Sequence, residues 1–383
     1  MAKPVEKIIA GTFLELASAL ETGSLETAKI VLTGHGSEHG EDDMIKGAAI
    51  AATRGVRVFY TGSRTCDGVI TVPAGSDREA HETMEAMLKS GEADGAATMH
   101  YPFPIGVSTV GKVVTPGMGK AMYISTTTGT SSVSRVGGMV KNAIYGVITA
   151  KACGNVDPTV GILNVDGARQ AEAALKELQA NGYGISFAES SRMDGGAVMR
   201  GNDVLAGTCD VLVTDPLTGN ILVKMLSSFT TGGGYESLGW GYGPGIGEDY
   251  DKLVVILSRA SGAPVIANAI EFAAELVRGR YREVAAAEFA SARKARLPEV
   301  LGAIDARAAP AKGGATVREP PKEVVTAEIT GIEIADIEDA VGVLWQAGIY
   351  AQSGMGCTGP VILVNENNLR QAREALAASG YIT

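Results

Sequence analysis

Cys209-Asp-Val-Leu-Val-Thr-Asp-Pro-Leu-Thr-Gly-Asn-Ile-Leu-Val-Lys224 is a strand, a sharp turn and a helix in sixteen residues. Val211 to Thr214 is short, β-branched and apolar along its length, as a strand covered on both faces must be. Asp215 supplies a helix N-cap, and Pro216 sits at the first helical position, where its fixed φ costs nothing. A buried strand feeding directly into a helix is half of a βαβ unit, so this stretch predicts an α/β protein.

The alternation continues outward from Lys29 to about Val277. Strands are expected at Lys29 to Leu32, Val56 to Tyr60, Gly68 to Val72, Met122 to Ser125, Val160 to Asn164, Ile185 to Ala188 and Val254 to Leu257. Helix signals lie between them. Ser76 with Glu79 makes a capping box ahead of a helix reaching Lys89. Ala171, Ala174, Leu175 and Leu178 form one apolar stripe that Gly182 ends.

Ala306 to Lys322 holds three prolines, two glycines and hardly any large apolar side chain. Such a stretch cannot pack and reads as a linker. It predicts a main domain over 1–305 and a small C-terminal domain over 323–383. That tail reads as a strand (Val324 to Ile329), a helix with Ile337, Val341 and Leu344 on one face, and a glycine-rich loop holding Cys357. A strand (Val361 to Val364) and a closing helix (Leu369 to Ala378) complete it.

The formal net charge is -10, which repels nucleic acid and anionic lipid. Neither is expected as a partner. No apolar run reaches the roughly 18 residues of a membrane helix, and Met1 to Ile9 lacks the pattern of a signal peptide, so a cytoplasmic protein is expected. The four cysteines are widely spaced, which fits neither a disulfide framework nor a zinc knuckle.

Several residues invite a chemical reading. The turn at Asp215 lies at a strand's carboxyl end, where open α/β sheets bind ligands, and a helix start offers free amides to an anion. Asp215, Asn220 and Lys224 are therefore candidates for an anion site. Asp215 reads equally as a plain cap, and Lys224 as a solvated lysine. Cys357 lies in Gln352-Ser-Gly-Met-Gly-Cys-Thr-Gly-Pro360, where glycines leave a thiol open and bring amides near it. An acyl-carrying nucleophile needs both features, although the same glycines would also serve a simple turn. Cys209 reads as core, and Cys66 and Cys153 as surface thiols.

His35 and His39 have a metal-like spacing, but flanking glycines deny them the rigid helix such a pair requires, so no metal is expected there. His100 reads as either a cleft residue or a loop histidine. The hydroxyl-rich run Ser125 to Ser134 with Arg135 reads as a phosphate site or a polar turn.

Two sets of residues carry a family resemblance. Val160 to Lys224, through Gly-Ile-Leu-Asn164, Cys209 to Asp215 and Thr-Gly-Asn220, resembles the acyl-carrier-protein:phosphate acyltransferases. Gly91-Glu-Ala-Asp94 is similar to the phosphate acetyl- and butyryltransferases. Both groups imply an isocitrate-dehydrogenase-like layered α/β fold. Over nearly the whole chain, Met225 to Gly234 and the Cys357 tail resemble the alpha subunits of protein C of glycine, sarcosine and betaine reductases. That resemblance implies a subunit of anaerobic amino-acid fermentation. A carboxymethyl group on a selenoprotein (protein A) reaches Cys357 as an acetyl thioester, and inorganic phosphate releases it as acetyl phosphate. It also implies a beta subunit of protein C as partner, an oligomeric assembly and no cofactor. The alternatives are direct phosphate acyl transfer from an acyl carrier protein or acyl-CoA, and a non-catalytic scaffold.

Overall fold

β1 (Lys29–Thr33), β2 (Arg57–Gly62), β4 (Gly95–Thr98), β10 (Val211–Val213) and β12 (Val254–Ile256) are buried almost throughout. Strands with no solvent face must lie in the middle of a layered sheet. The computed structural model describes residue 13 and residues 27–191, 196–308, 319–330, 332, 336–356 and 359–382. The chain divides into two units, Met1–Asp305 and Ala306–Thr383.

In the first unit β1 is followed by α1 (Glu41–Thr53), β2, β3 (Ile70–Pro73), α2 (Asp77–Ser90), β4, β5 (Val107–Val114), β6 (Ala121–Thr130), α3 (Arg135–Ala152), β7 (Thr159–Leu163) and α4 (Ala168–Ala180). There follow β8 (Ser186–Phe187), β9 (Val198–Met199), α5 (Gly201–Ala206), β10, α6 (Pro216–Ser228), β11 (Gly243–Ile246), β12, α7 (Ala263–Arg278), α8 (Tyr281–Lys294) and α9 (Leu297–Ala308). The strands form one sheet in the order β3-β2-β1-β4-β12-β11-β5-β6-β10-β7-β8, with β9 also on β7. The outer strands pair in parallel, whereas β11 and β5 run antiparallel to their neighbours and join the two parallel halves. The fold is mixed α/β, as the strand-turn-helix at Asp215 predicts.

Helix α3 is apolar nearly all round because it lies inside the layers, with sheet on one side and α4 and α8 on the other. A Cβ on its Gly146 would come 2.2 Å from Val211, so only glycine lets α3 approach β10 so closely. Lys112 on β5 is also buried. Its ammonium sits 2.9 Å from Glu275 and 4.9 Å from the Trp240 ring centre, which replaces the water it gives up. Cys153, expected at the surface, instead packs against the main core. Burial, with Glu275 beside it, pushes its thiol up to about 12. Cys209 is buried as expected, and its thiol is likewise raised by burial to about 12.

Other details depart from the sequence expectation. Glu79 does not close the capping box on Ser76. Ser76 accepts from the Glu79 amide, and the Glu79 carboxylate accepts from Gly75 N one residue upstream. Helix α9 extends to Ala308, three residues into the expected linker, because Ala306, Arg307 and Ala308 are all strong helix formers.

The segment after β9 is pinned by Asp203, which is 1% exposed. It accepts from Ser190 Oγ (2.8 Å), Ser191 N (3.0 Å) and Arg200 N (2.9 Å). Burial alone would raise its pKa, but these donors outweigh burial and bring it to about 2. A lowered folded-state value contributes stability above the ordinary 3.8, and that contribution is lost as pH falls through about 2. Asp203→Ala should therefore cost about 2–3 kcal/mol at neutral pH, as lost hydrogen bonds to a charged acceptor do. Urea titrations should also show that its stability falls less than the parent's below pH 4, in the window set by that shift.

In the second unit, β13 (Ala327–Ile329), α10 (Ile337–Gln346), β14 (Ala351–Gly356), β15 (Gly359–Val364) and α11 (Leu369–Ala378) make an antiparallel sheet, ordered β13-β15-β14, with two helices. Ala340, Leu344, Ile362, Val364, Ala372 and Leu376 are fully buried at its centre. Residues 351–356, expected as loop, are a strand paired with β15 from Ala351↔Val364 to Gly356↔Gly359.

Candidate functional site

The carboxyl ends of β6, β7 and β10 each lead into a helix, so the starts of α3, α4 and α6 come to one edge of the sheet. At α6, Asp215 accepts from Leu217 N (3.1 Å), Thr218 N (3.1 Å) and Thr218 Oγ1 (2.6 Å). Burial would raise its pKa, yet the Thr218 and Leu217 donors and the nearby Arg135 guanidinium hold it below the usual value. It is therefore an ionised cap. Gly219 lets the next turn lie directly on β6, since a Cβ there would fall 1.8 Å from Thr126 O. Asn220 then donates from Nδ2 to Thr127 O at 3.1 Å.

Most hydroxyls of the run Ser125 to Ser134 are engaged within the protein. Ser125 bonds Asn142 O (2.6 Å), Thr126 bonds Thr109 O (3.1 Å) and Thr127 bonds Tyr242 O (2.6 Å). Ser134 caps α3 through Gly137 N at 3.0 Å. Arg135, at the first position of α3, is exposed and lies 3.4 Å from Asp166. Helix α4 begins at Gly167 with no side-chain cap.

Lys224 lies nine residues beyond Asp215 along α6. At 1.5 Å rise per residue that is about 13 Å, too far to add charge at the helix start. It stands instead one turn past Asn220 on the same face, with its ammonium beside the Tyr242 hydroxyl. Burial raises the Tyr242 pKa, and Lys224 and Ser258 pull it partly back. The protein thus brings Asp215 together with Arg135 and Asp166, and Asn220 with Thr127, Tyr242 and Lys224.

Tyr242 was not foreseen. Its signal is the glycine density of Gly239-Trp-Gly-Tyr-Gly-Pro-Gly245, where Gly241 and Gly243 take positive φ and β11 presses against Val110. Cys357 lies outside the described residues. His35 and His39 do not form a pair. His35 Nε2 lies 3.2 Å from Ala74 O, and His39 Nε2 lies 3.2 Å from Ala260 O.

A family model described as fatty acid synthesis protein matches residues 28–363. The chain belongs to that family. Within it, the chain is 53% identical over 381 residues to the "Glycine/sarcosine/betaine reductase complex component C subunit alpha" of Peptoclostridium acidaminophilum, covering 99% of each chain. The resemblance to the component C alpha subunits therefore holds over the full alignment. A phosphate acyltransferase of Gluconacetobacter diazotrophicus is 28% identical over 254 residues, covering 54% of this chain and 67% of that protein. Among solved structures, a branched-chain phosphotransacylase from Enterococcus faecalis V583 aligns with a TM-score of 0.46 at 16% identity, covering 65% of this chain and 99% of that one. No helix among the described residues is long and apolar enough to cross a membrane.

Proposed function

We propose that this member of the fatty acid synthesis protein family is the acyl-transfer subunit of an amino-acid reductase. It takes a two-carbon unit from a carboxymethylated selenoprotein, whose selenium is oxidised to a selenenyl sulfide with a second thiol as the carbon–selenium bond breaks and one carboxyl oxygen leaves as water, holds that unit as an acetyl thioester on Cys357, and gives it to inorganic phosphate. The observation that carries this reading is the 53% identity across 99% of both chains with a component C alpha subunit, tail included. In the release step a phosphate oxygen attacks the thioester carbonyl, the carbon–sulfur bond breaks, and the thiolate leaves as acetyl phosphate forms. Thiolates leave readily, so one difficult exchange becomes two easier ones. The beta subunit of protein C and the selenoprotein are its partners in a cytoplasmic oligomer.

The phosphate end is assigned to α6. Asp215 caps the helix, Asn220 ties it to β6, and the exposed Lys224 ammonium beside Tyr242 attracts the acceptor. Lys224→Ala should raise the phosphate concentration needed for half-maximal turnover about tenfold, the scale of one charge-assisted contact, and leave acylation unchanged. Unaltered phosphate dependence would return Lys224 to a solvated helix lysine.

A second reading is direct phosphate acyl transfer from an acyl carrier protein or acyl-CoA, favoured by the 254-residue match to a phosphate acyltransferase. Incubation with a radioactive acyl donor separates them. Protein-bound label that phosphate discharges supports the thioester route; product without protein-bound label supports direct transfer. A scaffold subunit gives neither.

A further inference from the structure

His81 was not singled out in the sequence, because nothing in Asp77-Arg-Glu-Ala-His81 marks it beyond a position one helical turn after Asp77. Folding brings it to His100. The two rings lie 4.6 Å apart between centres, at the carboxyl end of β4 and the start of α2. Asp77 Oδ1 is 3.5 Å from His81 Nδ1, and Asp77 Oδ2 is 3.6 Å from His100 Nε2. One ligand atom from each of the three residues falls within 4.8 Å of the others, the one such group of three among the described residues.

We propose that Asp77, His81 and His100 form a binding site for a divalent transition-metal ion, with zinc the best match.

Two imidazoles and a carboxylate are the donor set such ions take, at about 2.0–2.2 Å from the metal. Tetrahedral bonds of that length place ligand atoms about 3.3–3.5 Å apart, close to the two separations observed. The longest separation must contract, for which the His100 side chain, 51% exposed, is free to swing inward, and the His81 ring must turn its Nδ1 from Asp77 O, 2.8 Å away, toward the ion.

An independent observation points the same way. Asp77 Oδ1 is buried and has no hydrogen-bond partner, an arrangement that is destabilising unless something satisfies it. A metal ion between Oδ1 and His81 Nδ1 would do so. His81 is also held as a ligating histidine is held: its far nitrogen, Nε2, sits 3.1 Å from His100 O and 3.1 Å from Thr98 Oγ1, which in turn accepts from Thr33 at 2.8 Å. Without metal, a proton on Nδ1 points to Asp77 O at 2.8 Å. Metal entry moves that proton to Nε2, whose N–H then donates to His100 O. The helix dipole opposes a cation at the start of α2, but its effect is small against coordination. The neighbouring carboxylate of Glu85 does not compete for the ion, being held by Lys252 (2.6 Å) and Tyr101 (2.5 Å). Three protein ligands leave a fourth position for water or an anionic ligand.

The test uses the untagged full chain, stripped with chelator and titrated with cobalt(II), then with zinc in competition. The expected result is one ion per chain, with visible cobalt bands of nitrogen and oxygen ligation and no thiolate charge-transfer band. His100→Ala and Asp77→Asn should each weaken binding by more than the roughly 10–100-fold lost with an outer-shell partner. Both replace partly exposed side chains, so circular dichroism should be unchanged. Cys66→Ser should bind as the parent does. Failure of the parent to take up one equivalent, or equal affinity in His100→Ala and Asp77→Asn, would overturn the assignment.

Discussion

Cys357→Ala should leave a folded protein that makes no acetyl phosphate with its beta subunit and carboxymethylated selenoprotein. The expected fall is on the order of 10³-fold or more, the scale seen when a catalytic nucleophile is removed. Folding should survive because alanine adds no bulk and because β14 and β15 are held in register by pairs from Ala351↔Val364 to Gly356↔Gly359. The other thiols provide the contrast. Cys66 is exposed, so its loss should be silent. Cys153 and Cys209 are both raised to about 12 by burial, so neither supplies a thiolate at neutral pH. Cys209→Ala should cost about 1–2 kcal/mol through the small cavity it opens, without touching the chemistry. Initial rates at saturating phosphate decide the matter. A Cys357→Ala protein with the parent's rate would leave direct acyl transfer to phosphate as the better account.

Gly219→Ala should destabilise the protein strongly. An added Cβ would lie 1.8 Å from Thr126 O and 3.1 Å from Thr214 Cγ2. Thr126 O belongs to the backbone of β6, so no side-chain rotation relieves the overlap, and α6 must lift from the sheet. Overpacking of this kind costs about 3 kcal/mol, which lowers the melting temperature by roughly 5–10 °C in a domain of this size. The same movement stretches the Asn220 bond to Thr127 O and shifts Lys224 from Tyr242, so phosphate use should weaken along with stability. Gly234→Ala is the control, because nothing lies within 4 Å of its added Cβ. Calorimetry showing Gly219→Ala to melt with the parent would mean that α6 does not rest on β6 as described.

The fold was legible where side chains carry the signal. Val211 to Val213 is apolar on both faces because both are covered, and Asp215 and Pro216 mark the start of α6 by rules that need no tertiary context. β5 and β11 were not legible. Val107-Ser-Thr-Val-Gly-Lys-Val-Val114 mixes hydroxyls and a lysine into a buried strand, and those groups are tolerable only because partners such as Asn142 and Glu275 come from far along the chain. Gly243-Pro-Gly-Ile246 looks like a turn because its glycines permit close approach to Val110 rather than fill space. In the tail, glycines at 354 and 356 hid a strand. At α6, the sequence marked Asp215 as a helix cap, which it is, whereas Lys224 is near Asp215 only in sequence. His81 and His100 meet through folding alone, nineteen residues apart.

Cys357 is expected to carry an acetyl group between donor and phosphate. Mass spectrometry of the full complex, quenched in acid after mixing with carboxymethylated selenoprotein in the absence of phosphate, tests it most directly. One acetyl group, labile to hydroxylamine, is expected on the peptide containing Cys357, and it should disappear when phosphate is added before the quench. An unmodified Cys357 peptide in the phosphate-free mixture, from complex that makes acetyl phosphate once phosphate is supplied, would rule out Cys357 as the carrier.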